Sequence, residues 1–156
     1  MKTKKIKKVL IAMDYDETSQ RVAEQGFSMA QAMNAEVILL HVVFEQPIYY
    51  SGYTFMPELP ELRVDITGSL EESTQKFLAK TKKHLGDDTI QTVVVFGEIA
   101  ASILSTAKEL HADIIVIGTH SRKWLENILM GSQAADVLKK TTLPLYIIPT
   151  KKQDSK

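Results

Sequence analysis

The sequence predicts an α/β fold built on a parallel sheet. Several short runs are rich in β-branched residues and lack polar alternation, which is typical of strands buried on both faces. Between them lie segments with apolar residues at helical spacing. Strands that alternate with helices favour a parallel sheet with right-handed crossovers. The 156 residues are the size of one domain, and no linker or internal repeat divides them.

The first elements follow a strand–helix–strand order. The first predicted strand covers residues 9–13, and a polar turn follows it, in which Asp16 or Thr18 is the expected N-cap of the first helix. That helix places apolar residues at 3.6-residue spacing and should end near Asn34. The second strand covers residues 36–43.

The stretch from 45 to 67 is the least regular part of the chain. It contains three of the five prolines and four aromatic residues, and it predicts either an adaptable surface loop, a flap over a site, or an arm onto a partner. Residues 69–72 have the form of a capping box, so the second helix should begin there and run to Leu85, with Leu70 facing inward. The third strand should cover residues 92–96.

The last elements repeat the same alternation. The third helix is marked by apolar residues from Ile99 to Leu110, and the fourth strand is a run of four apolar residues that ends at Gly118. A helical pattern covers 133–140, and the fifth strand covers 145–148. The core domain should therefore span residues 5–149, followed by a polar tail from 150 to 156.

The composition excludes several classes of function. Lys+Arg and Asp+Glu both number 19, and a formal net charge of zero disfavours an electrostatically driven nucleic-acid binder. The absence of cysteine excludes disulfides and thiol catalysis. No apolar run approaches the roughly 20 residues of a membrane span, and the basic start leads into too short an apolar run for a signal peptide. We expect a cytoplasmic protein that binds neither membrane nor nucleic acid.

The most informative stretch begins where the fourth strand ends. Gly118-Thr119-His120-Ser121 is followed by nine residues, then by Gly131-Ser132 and a helix. Glycine lets a ligand approach the backbone closely, and a helix N-terminus offers free N–H groups to a phosphate. This layout predicts a site for the phosphates of a nucleotide.

This pattern resembles the universal stress protein signature, G-x-x-G, nine residues, G-[ST]. The Asp14 turn, Leu40-His41-Val42, and the ending from Pro144 to Pro149 agree with the same family, so the resemblance covers about residues 5–149. It implies a three-layer, doubly wound, five-stranded parallel sheet of order 3-2-1-4-5 with four helices, of the adenine-nucleotide alpha-hydrolase-like type. It also implies ATP, bound where the strand order reverses between the first and fourth strands.

The family resemblance assigns residues to the adenosine part of the ligand. It places the Asp14 carboxylate near the ribose hydroxyls, although this residue could instead cap the helix that follows. Ala12 and the backbone near Val42 would contact adenine. Ile117 and Gly118 would line the bend between ribose and phosphates.

Further residues would surround the phosphates. The candidates are Ser121, Arg122, Gly131, Ser132 and the N–H of Gln133. Asp16 or Glu17 is a candidate to reach a phosphate-bound Mg²⁺, which typically takes one or two carboxylates. The four histidines do not share metal-ligand spacing, and no nucleophile–base pattern assigns a catalytic residue.

Ser121 departs from the family pattern, which has glycine there. If the backbone needs a positive φ, a Cβ costs about 1–2 kcal/mol. If only a small residue is needed, the serine hydroxyl can donate to a phosphate oxygen. Two functions therefore stay open: an ATP-binding stress-response protein with slow or no hydrolysis, and a dimeric interaction module of the same fold that binds no nucleotide.

Two other α/β classes are disfavoured, and one partner is expected. A phospho-acceptor receiver needs an aspartate closing its third strand, where this chain has Phe96-Gly97-Glu98, and a flavin phosphate would be repelled by the acidic turn at Asp14. The last strand, Leu145–Ile148, is apolar and should lie at a sheet edge, where it invites pairing. Because family members commonly dimerise in this way, we expect a homodimer through that edge.

Overall fold

The structure is a computed structural model. It describes residues 3–44, 60–119 and 132–150, with the backbone alone described for residues 60–67 and 132. The predicted loop over residues 45–59, the spacer from 120 to 131 and the tail from 151 lie outside the described residues.

Five strands alternate with four helices along the described chain. In order they are β1 (Lys8–Ala12), α1 (Ser19–Ala32), β2 (Glu36–Phe44), α2 (Pro60–Leu85), β3 (Gln91–Gly97), α3 (Ile99–Glu109), β4 (Ile114–Gly118), α4 (Ser132–Lys140) and β5 (Leu145–Ile148). The strands form one sheet in the order β3-β2-β1-β4-β5, and the four neighbouring pairs are all parallel. The predicted fold class is confirmed.

The sheet separates two hydrophobic cores because successive side chains of a strand point to opposite faces. On β1, Val9 and Ile11 belong to the core under α1 and α2, whereas Leu10 belongs to the core under α3 and α4. All three side chains are fully buried. Helices on both faces explain why these strands are apolar without alternation.

Gly26 sets how closely α1 lies on the sheet. A Cβ built at this position would lie 2.8 Å from Ile11 Cδ1 and 3.0 Å from Val116 Cγ1, so a larger residue would require these side chains to shift. The helix ends where Asn34 adopts a left-handed φ of 56°, as the sequence predicted.

The second helix starts earlier than predicted. It begins at Pro60 rather than at Ser69, so the last eight residues of the predicted 45–67 loop are helical. Proline suits a first helical position because its missing N–H would have no partner there. Leu70, predicted to face inward, is 48% exposed, and the buried face described for α2 begins at Thr74.

Asp113 fastens the segment before β1 to the start of β4. Its carboxylate accepts from the backbone N–H of Lys7 and Lys8, at 2.9 and 3.1 Å, and pairs with Lys4 Nζ at 2.8 Å. The Lys4 ammonium first, and then these backbone donors, lower the pKa of Asp113. The charged carboxylate therefore stabilises the pairing of β1 with β4.

Among the helices of the described ranges, none combines the length and apolarity that crossing a membrane requires.

Candidate functional site

The carboxyl ends of β1 and β4 lie side by side at the point where the strand order reverses. The two strands pair directly, with Ile11 opposite Val116, while β2 and β5 lie to either side of them. A cleft opens above this edge, and its described lining comes from both strands, the turn into α1, β2, α3 and α4. The lining residues are Ala12, Met13, Asp14, Thr18, Ser19, Val22, Val42, Ile99, Ile103, Ile117, Gly118, Gln133, Ala134 and Val137.

The turn that carries Asp14 is held at its start by β2. The Met13 N–H donates to the Leu40 carbonyl oxygen at 2.8 Å, and His41 Nδ1 donates to the Met13 carbonyl oxygen at 2.7 Å. Because a carbonyl oxygen only accepts, this bond requires the proton on Nδ1. Both backbone groups of Met13 are thus fixed immediately before Asp14.

The same turn is held at its end by Asp16. One carboxylate oxygen, Oδ1, accepts from the Thr18 amide at 2.8 Å, the Thr18 hydroxyl at 2.6 Å and the Ser19 amide at 3.1 Å. Asp16 therefore caps the first turn of α1, and the Thr18 side chain makes no cap bond although Thr18 holds the N-cap position. Oδ1 of Asp16 therefore holds the turn together, and a contact of Asp16 or Glu17 with a phosphate-bound Mg²⁺ stays a prediction.

Asp14 projects from this anchored turn and is free to meet a ligand. It is exposed, and within residues 3–44, 60–119 and 132–150 its carboxylate has no hydrogen-bond or ion-pair partner. The alternative role of helix cap belongs to Asp16, not Asp14. The cleft therefore has a carboxylate whose acceptor capacity is unused.

Tyr15 covers the outer side of the anchored turn. Its ring lies 4.6 Å from the Phe77 ring and 6.1 Å, edge-on, from the His41 ring, measured between centroids. Tyr15 remains 51% exposed. These contacts join the turn to α2 and β2.

The opposite side of the cleft is apolar. Val42, Ile103, Ile117 and Val137 are buried there and belong to the core under α3 and α4. Such a surface suits a flat, weakly polar ring better than a charged group, since apolar walls with a few polar groups are typical of small-molecule sites.

The start of α4 supplies polar groups to this apolar side. The first N–H groups of a helix have no partner within it, and the helix carries no acidic residue in its first turn. The Gln133 side chain adds a buried atom, Oε1, which has no hydrogen-bond partner among the described residues. This end of α4 can therefore receive both an anion and a hydrogen-bond donor.

The structure brings together many of the residues that the sequence nominated. Ala12, Asp14, Val42, Ile117, Gly118 and Gln133 all line the cleft. Ser132 is the first residue of α4. Ser121, Arg122 and Gly131 lie outside the described residues, as does His120.

Some lining residues were not nominated from the sequence. Ile99 and Ile103 follow the helical spacing of α3 and were interpreted only as markers of that helix, although they also line the cleft. Thr18 and Ser19 were interpreted as part of a cap. His41 was named only within a motif, because a bond from its ring to Met13, 28 residues away, has no local sequence signal.

Metal chemistry finds no support in the described part of the chain. No group of three or more His, Cys, Asp or Glu side chains there is arranged to hold a metal ion. Asp14 is also the one titratable residue among the described lining residues. The described lining therefore offers a ligand a single carboxylate, that of Asp14.

Comparison with known proteins assigns the family. The model of the universal stress protein family matches residues 5–149. This chain belongs to the universal stress protein family. Universal stress protein YxiE of Bacillus subtilis is 28% identical over 144 residues, which cover 90% of this chain and 97% of that protein.

Solved structures of the family share the fold. MJ0577 is a universal stress protein of Methanocaldococcus jannaschii. Its structure matches this one with a TM-score of 0.78 at 27% identity, and the match covers 96% of this chain and 99% of that chain. A universal stress protein from Archaeoglobus fulgidus, solved in complex with dAMP, has a TM-score of 0.61 at 19% identity and covers 92% of this chain and 98% of its own. At that identity, the second likeness concerns the fold alone.

Proposed function

We propose that this universal stress protein binds ATP in the cleft at the carboxyl ends of β1 and β4 and acts as a stress-response regulator, with slow or no hydrolysis. One observation carries the proposal. A single cleft is lined by residues that were predicted to bind a nucleotide and that lie far apart in the sequence: Ala12, Asp14, Val42, Gly118 and Gln133. The position is also the one where open α/β sheets bind ligands.

The apolar side of the cleft fits adenine. Val42, Ile99 and Ile103 offer a surface for the faces of the base. Backbone groups near the carboxyl ends of β1 and β2 would make hydrogen bonds with its edge, as the resemblance implies for Ala12 and Val42. A base held in this way needs no special polar side chain.

The polar side of the cleft fits the sugar and the phosphates. The Asp14 carboxylate can accept from ribose hydroxyls, which are donors. The first amides of α4 and the positive end of its dipole favour phosphate, and no acidic residue in its first turn opposes that charge. Ser121, Arg122, Gly131 and Ser132 are proposed to complete the phosphate site.

Slow or absent hydrolysis follows from the shortage of a base. If Asp14 is engaged by the ribose, no titratable group among the described lining residues is left to activate water. A Mg²⁺ ion, if present, would be held mainly by the phosphates. A protein of the same fold, the universal stress protein from Archaeoglobus fulgidus, was solved in complex with dAMP.

Calorimetric titration with ATP tests the proposal. We expect a saturable heat for the wild-type chain and about tenfold weaker binding for Asp14→Ala, because a charge-assisted hydrogen bond is lost. Asp88→Ala is the matched control, since Asp88 is exposed in the turn between α2 and β3, before rather than after a strand. Its affinity should equal that of the wild type.

No heat at millimolar ATP would contradict the proposal and favour the interaction module. Ser121→Gly then separates two explanations. Recovery of binding would assign the loss to the serine side chain, and continued silence would mean that the cleft does not bind ATP.

We also propose that the chain forms a homodimer through β5. This strand lies at one edge of the sheet, and Tyr146 is 37% exposed while its neighbours Leu145 and Ile147 are only partly buried. An apolar edge strand without a charge on it is suited to pairing with a second copy.

A further inference from the structure

We infer that the Gln133 side chain is a specificity-determining residue of the cleft, which accepts a hydrogen bond from a ribose hydroxyl of the bound nucleotide. The inference rests on the proposed function. There the backbone N–H of Gln133 binds phosphate, and here its side chain is given a separate role toward the ribose. The starting point is one atom, Gln133 Oε1, which is buried and finds no hydrogen-bond partner in the described part of the chain.

A buried amide oxygen without a partner is unusual. More than nine-tenths of buried polar groups in folded proteins are hydrogen-bonded, since an unpaired one costs about 1–3 kcal/mol. Gln133 as a whole is only half-buried, so its amide could turn outward to water. That the oxygen instead lies inside, in a residue that lines the cleft, indicates a position suited to a ligand donor.

Among the described residues that line the cleft, none offers Gln133 Oε1 a free side-chain donor. Ala134 and Val137 on the same helix, with Ile99 and Ile103 from α3, line the cleft but have no side-chain N–H or O–H. Thr18 and Ser19 do line it, but both hydroxyls are already committed as donors, to Asp16 Oδ1 at 2.6 Å and to the Asp16 carbonyl oxygen at 2.6 Å. The side-chain hydroxyl protons in the described part of the cleft are therefore already used in hydrogen bonds to Asp16.

The chemistry of a nucleotide narrows the donor to the sugar. Phosphate oxygens only accept and carry negative charge, so they cannot pair with an amide oxygen. Gln133 follows Ser132 at the helix start that would receive the phosphates. Moving along the ligand from the phosphates, the first group with hydroxyl donors is the ribose, whereas the adenine amino group lies beyond it.

The consequence is discrimination between ribose and deoxyribose nucleotides. A site built to hydrogen-bond a hydroxyl rejects an analogue that lacks it, because the protein group is then left unpaired. Replacing Gln133 by methionine keeps the length of the side chain and removes the acceptor. Such a variant should bind ATP less well and should lose the preference for the hydroxyl.

The experiment is calorimetry with ATP, 2′-deoxy-ATP and 3′-deoxy-ATP on the wild type and on Gln133→Met. We expect the wild type to bind ATP about 3- to 10-fold more tightly than the analogue that lacks the hydroxyl bound by Gln133. Gln133→Met should bind ATP and that analogue with equal affinity. Gln31→Met, on the exposed face of α1, is the matched control and should keep the wild-type ratios.

Thermal unfolding without nucleotide tests the same atom independently of ligand binding. Because Oε1 has no partner within residues 3–44, 60–119 and 132–150, Gln133→Met should leave the melting temperature unchanged or raise it. A fall of several degrees would mean that the oxygen is satisfied within the protein, and it would overturn the inference even if ATP binds.

The outcomes separate this inference from the proposed function. A wild-type chain that binds none of the three nucleotides overturns both. A wild-type chain that binds ATP, with ratios that Gln133→Met does not change, overturns the role of Gln133 alone and leaves the ATP site in place.

Discussion

Replacement of Gly26 tests how α1 is seated on the sheet beneath the cleft. The structure predicts opposite effects for the same substitution at two helical glycines. At Gly26, a new Cβ would lie 2.8 Å from Ile11 Cδ1 and 3.0 Å from Val116 Cγ1. Both neighbours are fully buried, so neither has free space to move into. At Gly68, on α2, a new Cβ would meet nothing within 4 Å.

The magnitudes follow from two opposing effects. Alanine in place of glycine favours a helix by about 1 kcal/mol. Overpacking of a filled core costs about 1–3 kcal/mol. We therefore expect Gly26→Ala to lower the free energy of unfolding by about 0–2 kcal/mol, and Gly68→Ala to raise it by about 1 kcal/mol. Gly26→Val, which adds two more carbons at the same contact, should cost more than alanine and leave the chain measurably less stable.

Urea unfolding followed by circular dichroism measures these differences at constant m-value. The melting temperatures should change in the same sense, by about 2–4 °C per kcal/mol for a chain of this size. If Gly26→Val proved as stable as the wild type, α1 could not lie as close to β1 and β4 as the structure shows.

Three further predictions concern the anchor of the turn, the start of the sheet and its edge. His41→Leu should speed hydrogen exchange of the backbone amides that follow Met13 by about fivefold, because a hydrogen bond of about 1 kcal/mol is lost. His41→Asn, which keeps a donor near the position of Nδ1, should restore most of the protection. Equal exchange rates in the wild type and both variants would contradict the anchoring role of His41. Asp113→Asn should lower the free energy of unfolding by about 1–2 kcal/mol at neutral pH. The folded pKa of Asp113 lies below its unfolded value, so the extra stability of the wild type over Asp113→Asn should be complete above about pH 4. It should vanish as the pH falls through the folded pKa. A stability difference that does not change with pH in urea titrations would refute this. Tyr146→Lys should convert a dimer into a monomer in sedimentation at tens of micromolar, since a charge on an edge strand opposes pairing, whereas a monomeric wild type would rule out the dimer through β5.

Much of the sheet was predictable from the sequence for a simple physical reason. A strand buried on both faces must be apolar at every position, so runs such as Ile114–Ile117 stand out without any knowledge of their partners. The start of α2 did not stand out in this way. Pro60 was interpreted as part of a loop, because proline is typical of loops as well as of the first residue of a helix.

The candidate site was predictable where it depends on backbone and topology, and less so where it depends on side-chain contacts. Asp14 and Gly118 could be placed together, since both follow strands that end at one edge of the sheet. The bond from His41 to Met13 joins residues 28 positions apart, and the buried Oε1 of Gln133 depends on how α4 packs. Neither feature is encoded in a local pattern, so three-dimensional packing was needed to find them.

Mapping ATP binding by ¹⁵N NMR tests the central claim most directly. On titration with ATP, we expect the largest amide shifts at Met13, Asp14, Gly118, Gln133 and Ala134, which surround the cleft at the carboxyl ends of β1 and β4. Amides at the other end of the sheet, such as those near Asp88, should not move. An unchanged spectrum at saturating ATP, or shifts confined to that other end, would contradict the claim.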